Sequence, residues 1–126
     1  MSTAKKILIV DDSETILRML KLVVKNLASE VMTAGNGLSG LRIAEVEKPS
    51  VVLLDIMLPG LDGYNVCRKI KSNPDLKNTK VILFTVKSDK ETIEMAKAVG
   101  ADDFVMKDTT FEKVLEALAR ALGMGS

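Results

Sequence analysis

Two apolar runs that each end in aspartate decide the fold of this chain: ILIVDD at residues 7–12 and VVLLD at residues 51–55. Both runs are continuous and contain β-branched residues, which is typical of strands that are buried on both faces of a sheet. A third run of this kind, VILF, occupies residues 81–84. Shorter and weaker runs predict two further strands, at residues 31–34 and 104–106, the first of them at a sheet edge.

The stretches between these runs carry apolar residues at helical spacing. One helix is expected to begin at Ser13 or Asp12, a second to cover about 37–47, and a third to contain 66–70. Two more are expected to begin at capping-box pairs, which are Ser88 with Glu91 and Thr109 with Glu112. Five strand–helix units in sequence predict an α/β fold with a five-stranded parallel sheet and helices on both faces, built as one domain over residues 1–126.

Composition excludes several classes of function. The 126 residues include 18 basic and 17 acidic ones, a net charge of +1, which argues against a chain that coats nucleic acid. The chain has no histidine and one cysteine, so histidine-dependent nucleophiles, histidine metal sites and internal disulfides are excluded. No apolar run is long enough for a membrane span or a signal peptide. We therefore expect a cytoplasmic protein with no membrane insertion and no direct contact with nucleic acid.

Polar residues follow the predicted strands at one rim of the sheet. Asp11 and Asp12 follow the first strand, Asp55 the third, Thr85 the fourth and Lys107 the fifth. Ligands of such sheets bind at the carboxyl ends of the strands. If the first and third strands are neighbours, three carboxylates converge there, and oxygen ligands of this kind suit a hard divalent cation such as Mg²⁺.

These residues resemble the receiver domain of response regulators, the phosphoryl-accepting module of two-component signalling. The resemblance covers nearly the whole chain and implies a flavodoxin-like fold with strand order 2-1-3-4-5. It is carried by ILIVDDS at 7–13, VVLLDIMLPG at 51–60, Asp62-Gly63, Phe84-Thr85 and GADDFVMK at 100–107.

The resemblance also implies roles for the rim residues. Asp55 would be the phosphoacceptor, and Mg²⁺ would be bound by Asp12, Asp55 and the backbone carbonyl of Met57, with Asp11 contributing through a water. Lys107 and Thr85 would contact the phosphoryl oxygens.

The same family uses a hydroxyl and an aromatic residue as a switch. Thr85 and Phe104 hold those positions, and because Phe104 lacks a hydroxyl, a switch here would act through packing alone. It would reshape the surface of the fourth helix, fifth strand and fifth helix.

Because the chain has no histidine, its phosphoryl donor would be the phosphohistidine of a partner, either a sensor histidine kinase or a phosphotransfer protein. The output would be a downstream target protein. Such a protein is a switch more than an enzyme, although it catalyses its own phosphorylation and dephosphorylation. It would act as a single domain, in the manner of a chemotaxis regulator, or as a fragment of a longer protein.

Three other functions compete with this interpretation. GNGLSG at 35–40 matches a dinucleotide-binding motif, with Asp55 twenty residues after Gly35 as the ribose ligand. A phosphatase of the haloacid-dehalogenase type would need two acids separated by one residue, but here Ser13 stands at the second position. A pseudo-receiver that is never phosphorylated is the third alternative, because Asp108 replaces the family's usual proline and Val86 its usual small residue.

Two finer expectations concern the neighbours of the rim. We expect the Lys107–Asp108 peptide bond to be trans, since a cis bond before a non-proline residue costs ~3 kcal/mol. Met57 and Lys87 lie two residues beyond Asp55 and Thr85, at the positions where the family tunes the access of water to the acyl phosphate. Neither side chain offers a general base at neutral pH, so the resemblance implies slow self-dephosphorylation.

Overall fold

The computed structural model describes residues 5–86, 89–107 and 110–124. Across these residues strands and helices alternate along the chain, with one 3-10 turn at Pro74–Leu76. The strands are β1 (Lys6–Val10), β2 (Glu30–Ala34), β3 (Val51–Asp55), β4 (Lys80–Thr85) and β5 (Asp103–Met106). The helices are α1 (Glu14–Val24), α2 (Gly37–Glu47), α3 (Gly63–Lys71), α4 (Lys90–Ala98) and α5 (Phe111–Ala121).

The five strands form one parallel sheet in the order β2-β1-β3-β4-β5. The three strongly apolar strands occupy its centre, and the two weaker ones form its edges. This agrees with the predicted fold, strand order and edge position of β2. Because β1 and β3 are direct neighbours, with Val10 opposite Leu54, the condition for the acids to converge is met.

Alternate residues of each central strand pack on opposite faces of the sheet. Leu8, Val52 and Leu83 belong to a core with α2, α3 and α4. Ile9 and Leu53 belong to a second core with α1 and α5. A period of two with both faces covered explains why these strands are apolar without interruption.

The same alternation places the charged rim residues. Ile9, Leu53 and Val105 all pack on the face covered by α1 and α5. The residues two places further along each strand continue on that face, and they are Asp11, Asp55 and Lys107. The sheet therefore directs two acids and the lysine toward one another at its carboxyl edge.

Helix starts differ in detail from the predictions. Ser13, and not Asp12, caps α1 by accepting a hydrogen bond from the Ile16 amide at 3.3 Å. The N-cap position of α4 is occupied by Asp89 and that of α5 by Thr110, each one residue later than expected. The expected partners Ser88 and Thr109 lie outside the described residues. Since neighbouring residues in both segments are able to cap, sequence alone could not choose between them.

Two of the three glycines of the GNGLSG segment, Gly37 and Gly40, pack against the protein itself. A Cβ atom on Gly37 would clash with the Leu61 carbonyl oxygen, and one on Gly40 would lie 2.8 Å from a Val10 methyl. The segment also follows the edge strand β2, which is separated by β1 from the strand that carries Asp55. Both observations argue against a dinucleotide site. Leu61 fills the space beside Gly37 that a pyrophosphate would need, and Asp55 does not lie on a strand next to β2.

Gly63 brings the start of α3 against the end of β3. Its amide donates to the Ile56 carbonyl at 2.9 Å. An added Cβ would lie 2.7 Å from Ile56 Cα and closer still to the Asp55 carbonyl oxygen. The backbone that presents Asp55 is thus held in place by a contact that only glycine permits.

We expect Gly63→Ala to lower the free energy of unfolding by about 1–3 kcal/mol, because backbone atoms must move to admit the methyl group. Urea denaturation measures the change. Gly35→Ala is the matched control, since nothing lies within 4 Å of its added Cβ, and its effect should stay below about 1 kcal/mol. Equal losses in the two variants would show that the contact with Asp55 does not matter.

Candidate functional site

Three carboxylates converge at the carboxyl edge of the sheet. One oxygen from each of Asp11, Asp12 and Asp55 lies within 4.8 Å of the other two. Asp11 and Asp55 are 0% and 2% exposed, whereas Asp12 is open to solvent. Two buried acids and one exposed acid form a cluster that a solvated ion could reach from one side.

Backbone amides fix one oxygen of each buried acid. Asp11 Oδ1 accepts from the Ser13 amide at 2.9 Å, and Asp55 Oδ1 accepts from the Met57 amide at 3.1 Å. The turn after Asp55 is tight, with the Leu58 amide donating to the Ile56 carbonyl at 3.0 Å. The two carboxylates are therefore held by the chain immediately after them.

Lys107 compensates the other oxygen of each buried acid. Its ammonium lies 2.8 Å from Asp11 Oδ2 and 3.1 Å from Asp55 Oδ2. Its own amide donates to the Thr85 carbonyl at 2.7 Å, which fixes the backbone at the end of β5 against β4. Among the described residues, it is the only cation that forms an ion pair with these acids.

The ionised form of Asp55 is disfavoured in the cluster as long as no further cation is bound. Burial raises the pKa of Asp55 above its ordinary 3.8, and the neighbouring Asp11 raises it further. Lys107 and the Met57 amide act in the opposite direction but do not outweigh these effects. Burial also lowers the pKa of Lys107, but its bonds to Asp11 and Asp55 prevail and the pKa lies above 10.5.

The residues fit a divalent cation. When ionised, the three acids carry three negative charges and Lys107 returns one, which leaves an excess of two. The ligand atoms are all oxygens, the donor type that Mg²⁺ prefers. At 4.8 Å, the limiting separation of these oxygens, two like charges repel by roughly 3.5 kcal/mol at an effective dielectric of 20.

The two expected switch residues lie on neighbouring strands. Thr85 ends β4 and is 2% exposed, and Phe104 lies in β5 opposite Leu83. Phe104 is half-buried and packs against the core formed with α2, α3 and α4. Phe104 lines a cleft of about 340 Å³ toward α4 and is among the residues that line another of about 280 Å³ toward α5. Phe104 therefore borders open space.

Two exposed apolar residues stand close to the rim in sequence. Met57 is 62% exposed and Val86 61% exposed. Lys87 and Asp108 lie outside the described residues, and with them the predicted geometry of the Lys107–Asp108 bond.

Sequence reasoning missed one neighbour of the site. The Lys107 ammonium lies 5.3 Å from the centre of the Phe84 ring. Alternation along β4 could have indicated this, since Phe84 and Lys107 both project to the face covered by α1 and α5.

The sheet and its rim define a class: a parallel α/β protein with an acidic, oxygen-rich site closed by a lysine. The sequence model of the family described as "Response regulator receiver domain" matches residues 7–119 of the chain. The chain is 33% identical to protein PilG of Pseudomonas aeruginosa, over 93% of this chain and 87% of that protein. The solved structure of chemotaxis protein CheY4 of Vibrio cholerae matches with a TM-score of 0.87 at 28% identity, over 94% of this chain and 99% of CheY4.

The chain therefore belongs to the response-regulator receiver-domain family, as the sequence predicted. It spans about half the length of other relatives. One is the probable transcriptional regulator ycf27 of Cyanophora paradoxa, 39% identical over 94% of this chain and 48% of that protein. The transcriptional role in that name is a statement about that longer protein. In the described part of the chain, no helix combines the length and apolar character that a membrane crossing requires.

We expect the metal-free protein to lose stability, relative to Asp55→Asn, as pH rises from 3.8 through the raised pKa of Asp55. The folded state favours the protonated carboxyl, so ionisation at higher pH costs folding free energy in the parent only. Urea denaturation in EDTA from pH 4 to pH 8 measures the difference. Asp75→Asn, at an exposed acid in the 3-10 turn, is the control. A difference between parent and Asp55→Asn that stays flat or shrinks with pH would contradict the expectation.

Proposed function

We propose that this chain is a phosphorylation-dependent switch that accepts a phosphoryl group on Asp55. One observation carries the proposal: a buried carboxylate, Asp55, has an ammonium 3.1 Å from one oxygen and two further acids within 4.8 Å. Phosphoryl transfer depends mainly on positioning and charge neutralisation. The ion pair of Asp55 with Lys107, and an acidic cluster suited to a cation, support both.

The transfer step joins Asp55 to the phosphorus of a partner's phosphohistidine. A carboxylate oxygen of Asp55 attacks the phosphorus, the phosphorus–nitrogen bond breaks, and the imidazole leaves and takes up a proton. Lys107 then lies beside the new phosphoryl oxygens. An ion pair with Asp11, at 2.8 Å, already holds the Lys107 ammonium beside Asp55, so no distant group has to move into the site.

Mg²⁺ is the cofactor that we infer for this step. Asp12, Asp55 and the backbone carbonyl of Met57 would bind it directly, and Asp11 would bind it through a water. When bound, the ion neutralises charge that develops on the phosphoryl oxygens. The support for this inference is the oxygen-only cluster and its excess of two negative charges.

Phosphorylation would be read out through Thr85 and Phe104. The phosphorylated residue carries added negative charge and strong acceptor oxygens, and the Thr85 hydroxyl can donate to one of them. Phe104 lines the cleft toward α4, and this open space supports a movement of its ring when α4 or the end of β4 shifts. The surface formed by α4, β5 and α5 would then bind a downstream target protein.

The partners are proposed on the same grounds. Members of this family act with histidine kinases and effectors, and we infer a sensor kinase or a phosphotransfer protein as donor. The cytoplasmic location, the single domain over 1–126, the absence of direct nucleic-acid contact and the self-catalysed dephosphorylation belong to this proposal. A pseudo-receiver would leave Asp55 unmodified, and the next experiment separates the two.

The parent should gain one phosphoryl mass on incubation with acetyl phosphate and Mg²⁺, and Asp55→Asn should gain none. Intact-mass spectrometry measures both. Asp75→Asn serves as the matched control, since Asp75 is an exposed acid away from the rim, and it should behave as the parent does. An equal gain in Asp55→Asn would refute the acceptor assignment, and no gain in the parent would favour the pseudo-receiver.

Mg²⁺ should stabilise the parent against unfolding, because it relieves repulsion that exists only in the folded state. At a hundredfold excess over its dissociation constant the gain should be ~2.7 kcal/mol. Melting in Mg²⁺ and in EDTA, for the parent and for Asp12→Ala, measures the effect. The shift should shrink in Asp12→Ala; an identical shift in both proteins would place the ion elsewhere.

A further inference from the structure

We propose that Phe84 is a positioning residue for Lys107, and that the face of its ring holds the ammonium between Asp11 and Asp55. The effect on phosphorylation rests on the proposed function, whereas the contact between ring and ammonium does not.

The geometry of three neighbours supports this role. The Lys107 ammonium lies 5.3 Å from the centre of the Phe84 ring, within the range of about 6 Å for attraction between a cation and an aromatic face. It lies 2.8 Å from Asp11 Oδ2 and 3.1 Å from Asp55 Oδ2. Two carboxylates and one ring therefore surround a cation whose side chain is only 19% exposed.

The strand register produces this arrangement. Phe84 lies opposite Asp55 on one side and opposite Val105 on the other. Because Lys107 is two residues beyond Val105, its side chain starts on the same face of the sheet and extends over the ring. Phe84 itself is 4% exposed and packs in the core with α1 and α5, so the ring is held in place.

The aromatic character adds something that an aliphatic side chain would not. The electron-rich face attracts the ammonium and keeps water from that side, which strengthens its attraction to the acids. Attraction to a ring face also depends less on direction than a hydrogen bond does. Lys107 can therefore move from the Asp11 oxygen toward a phosphoryl group on Asp55 without losing this neighbour.

Fluorination of the ring separates its electronic effect from its shape. We would replace Phe84 by phenylalanines with one, two or three fluorines through site-specific incorporation. Phe111 receives the same residues as a control, since it packs against the same core but no ring contact with Lys107 is observed for it. Only fluorinated proteins that melt at the same temperature as the parent enter the comparison, so that a loss of stability is not mistaken for an electronic effect.

Two measurements test the role. The rate of phosphoryl gain from acetyl phosphate and Mg²⁺ should fall stepwise with fluorination of Phe84, by about threefold to tenfold for three fluorines. In Mg²⁺-free buffer, acylation of Lys107 by an N-hydroxysuccinimide ester should rise relative to the exposed Lys77 in the same series. Fluorination at Phe111 should change neither quantity.

Unchanged rates and unchanged labelling along the Phe84 series would overturn the proposal, and would leave Phe84 as core packing. If Phe84→Leu then slows phosphorylation while fluorination does not, shape alone matters. If the parent gains no phosphoryl mass, the proposed function fails, but the labelling of Lys107 still decides whether the ring holds the ammonium.

Discussion

The crowding of negative charge at one edge of the sheet is the constraint on which the site depends. Asp11 and Asp55 are almost fully buried, and the exposed Asp12 brings a third carboxylate within 4.8 Å. Buried charges need partners, because neither water nor distant ions screen them well. Lys107 supplies one positive charge from the far strand β5, and its long stem is needed to reach across β4. The two negative charges that remain favour the binding of a divalent cation at this edge. They also mean that a change of charge on Asp55 alters its interactions with Asp11, Asp12 and Lys107.

The rest of the fold tolerates this cluster because the charge repulsion is confined to the strand ends, whereas the apolar core beneath them is large. Apolar residues of β1, β3 and β4 are buried on both faces between the helices. The acids sit only where these strands end, and the chain that follows them satisfies one oxygen of each through the Ser13 and Met57 amides. Gly63 lets α3 approach the Asp55 backbone closely. A carboxylate with a raised pKa is thus held on a rigid frame, and this combination is common at functional sites.

Much of this could be predicted from sequence because the decisive signals are local. Continuous apolar runs indicate buried strands, and the residue after each run must lie at the carboxyl edge. The strand order came from the family resemblance, since periodicity alone does not state which strands are neighbours. The contacts of Lys107 with Asp11 and Phe84 depend on register between strands that are distant in sequence, so no local pattern displays them. The starts of α4 and α5 were misplaced by one residue because adjacent residues there can all cap a helix.

Consecutive residues at the end of β4 connect the site to both cores. Phe84 packs with α1 and α5, beneath the Lys107 ammonium. Thr85 follows Val81 and Leu83 onto the opposite face, where Phe104 packs with α2, α3 and α4. The Ile56 amide donates to the Phe84 carbonyl, and the Lys107 amide donates to the Thr85 carbonyl. A shift at the end of β4 therefore moves the backbone of Ile56 and Lys107 with it. A phosphoryl group on Asp55 would pull Lys107 on one face and the Thr85 hydroxyl on the other. One charge change would in this way reach two helix layers through adjacent positions of a single strand.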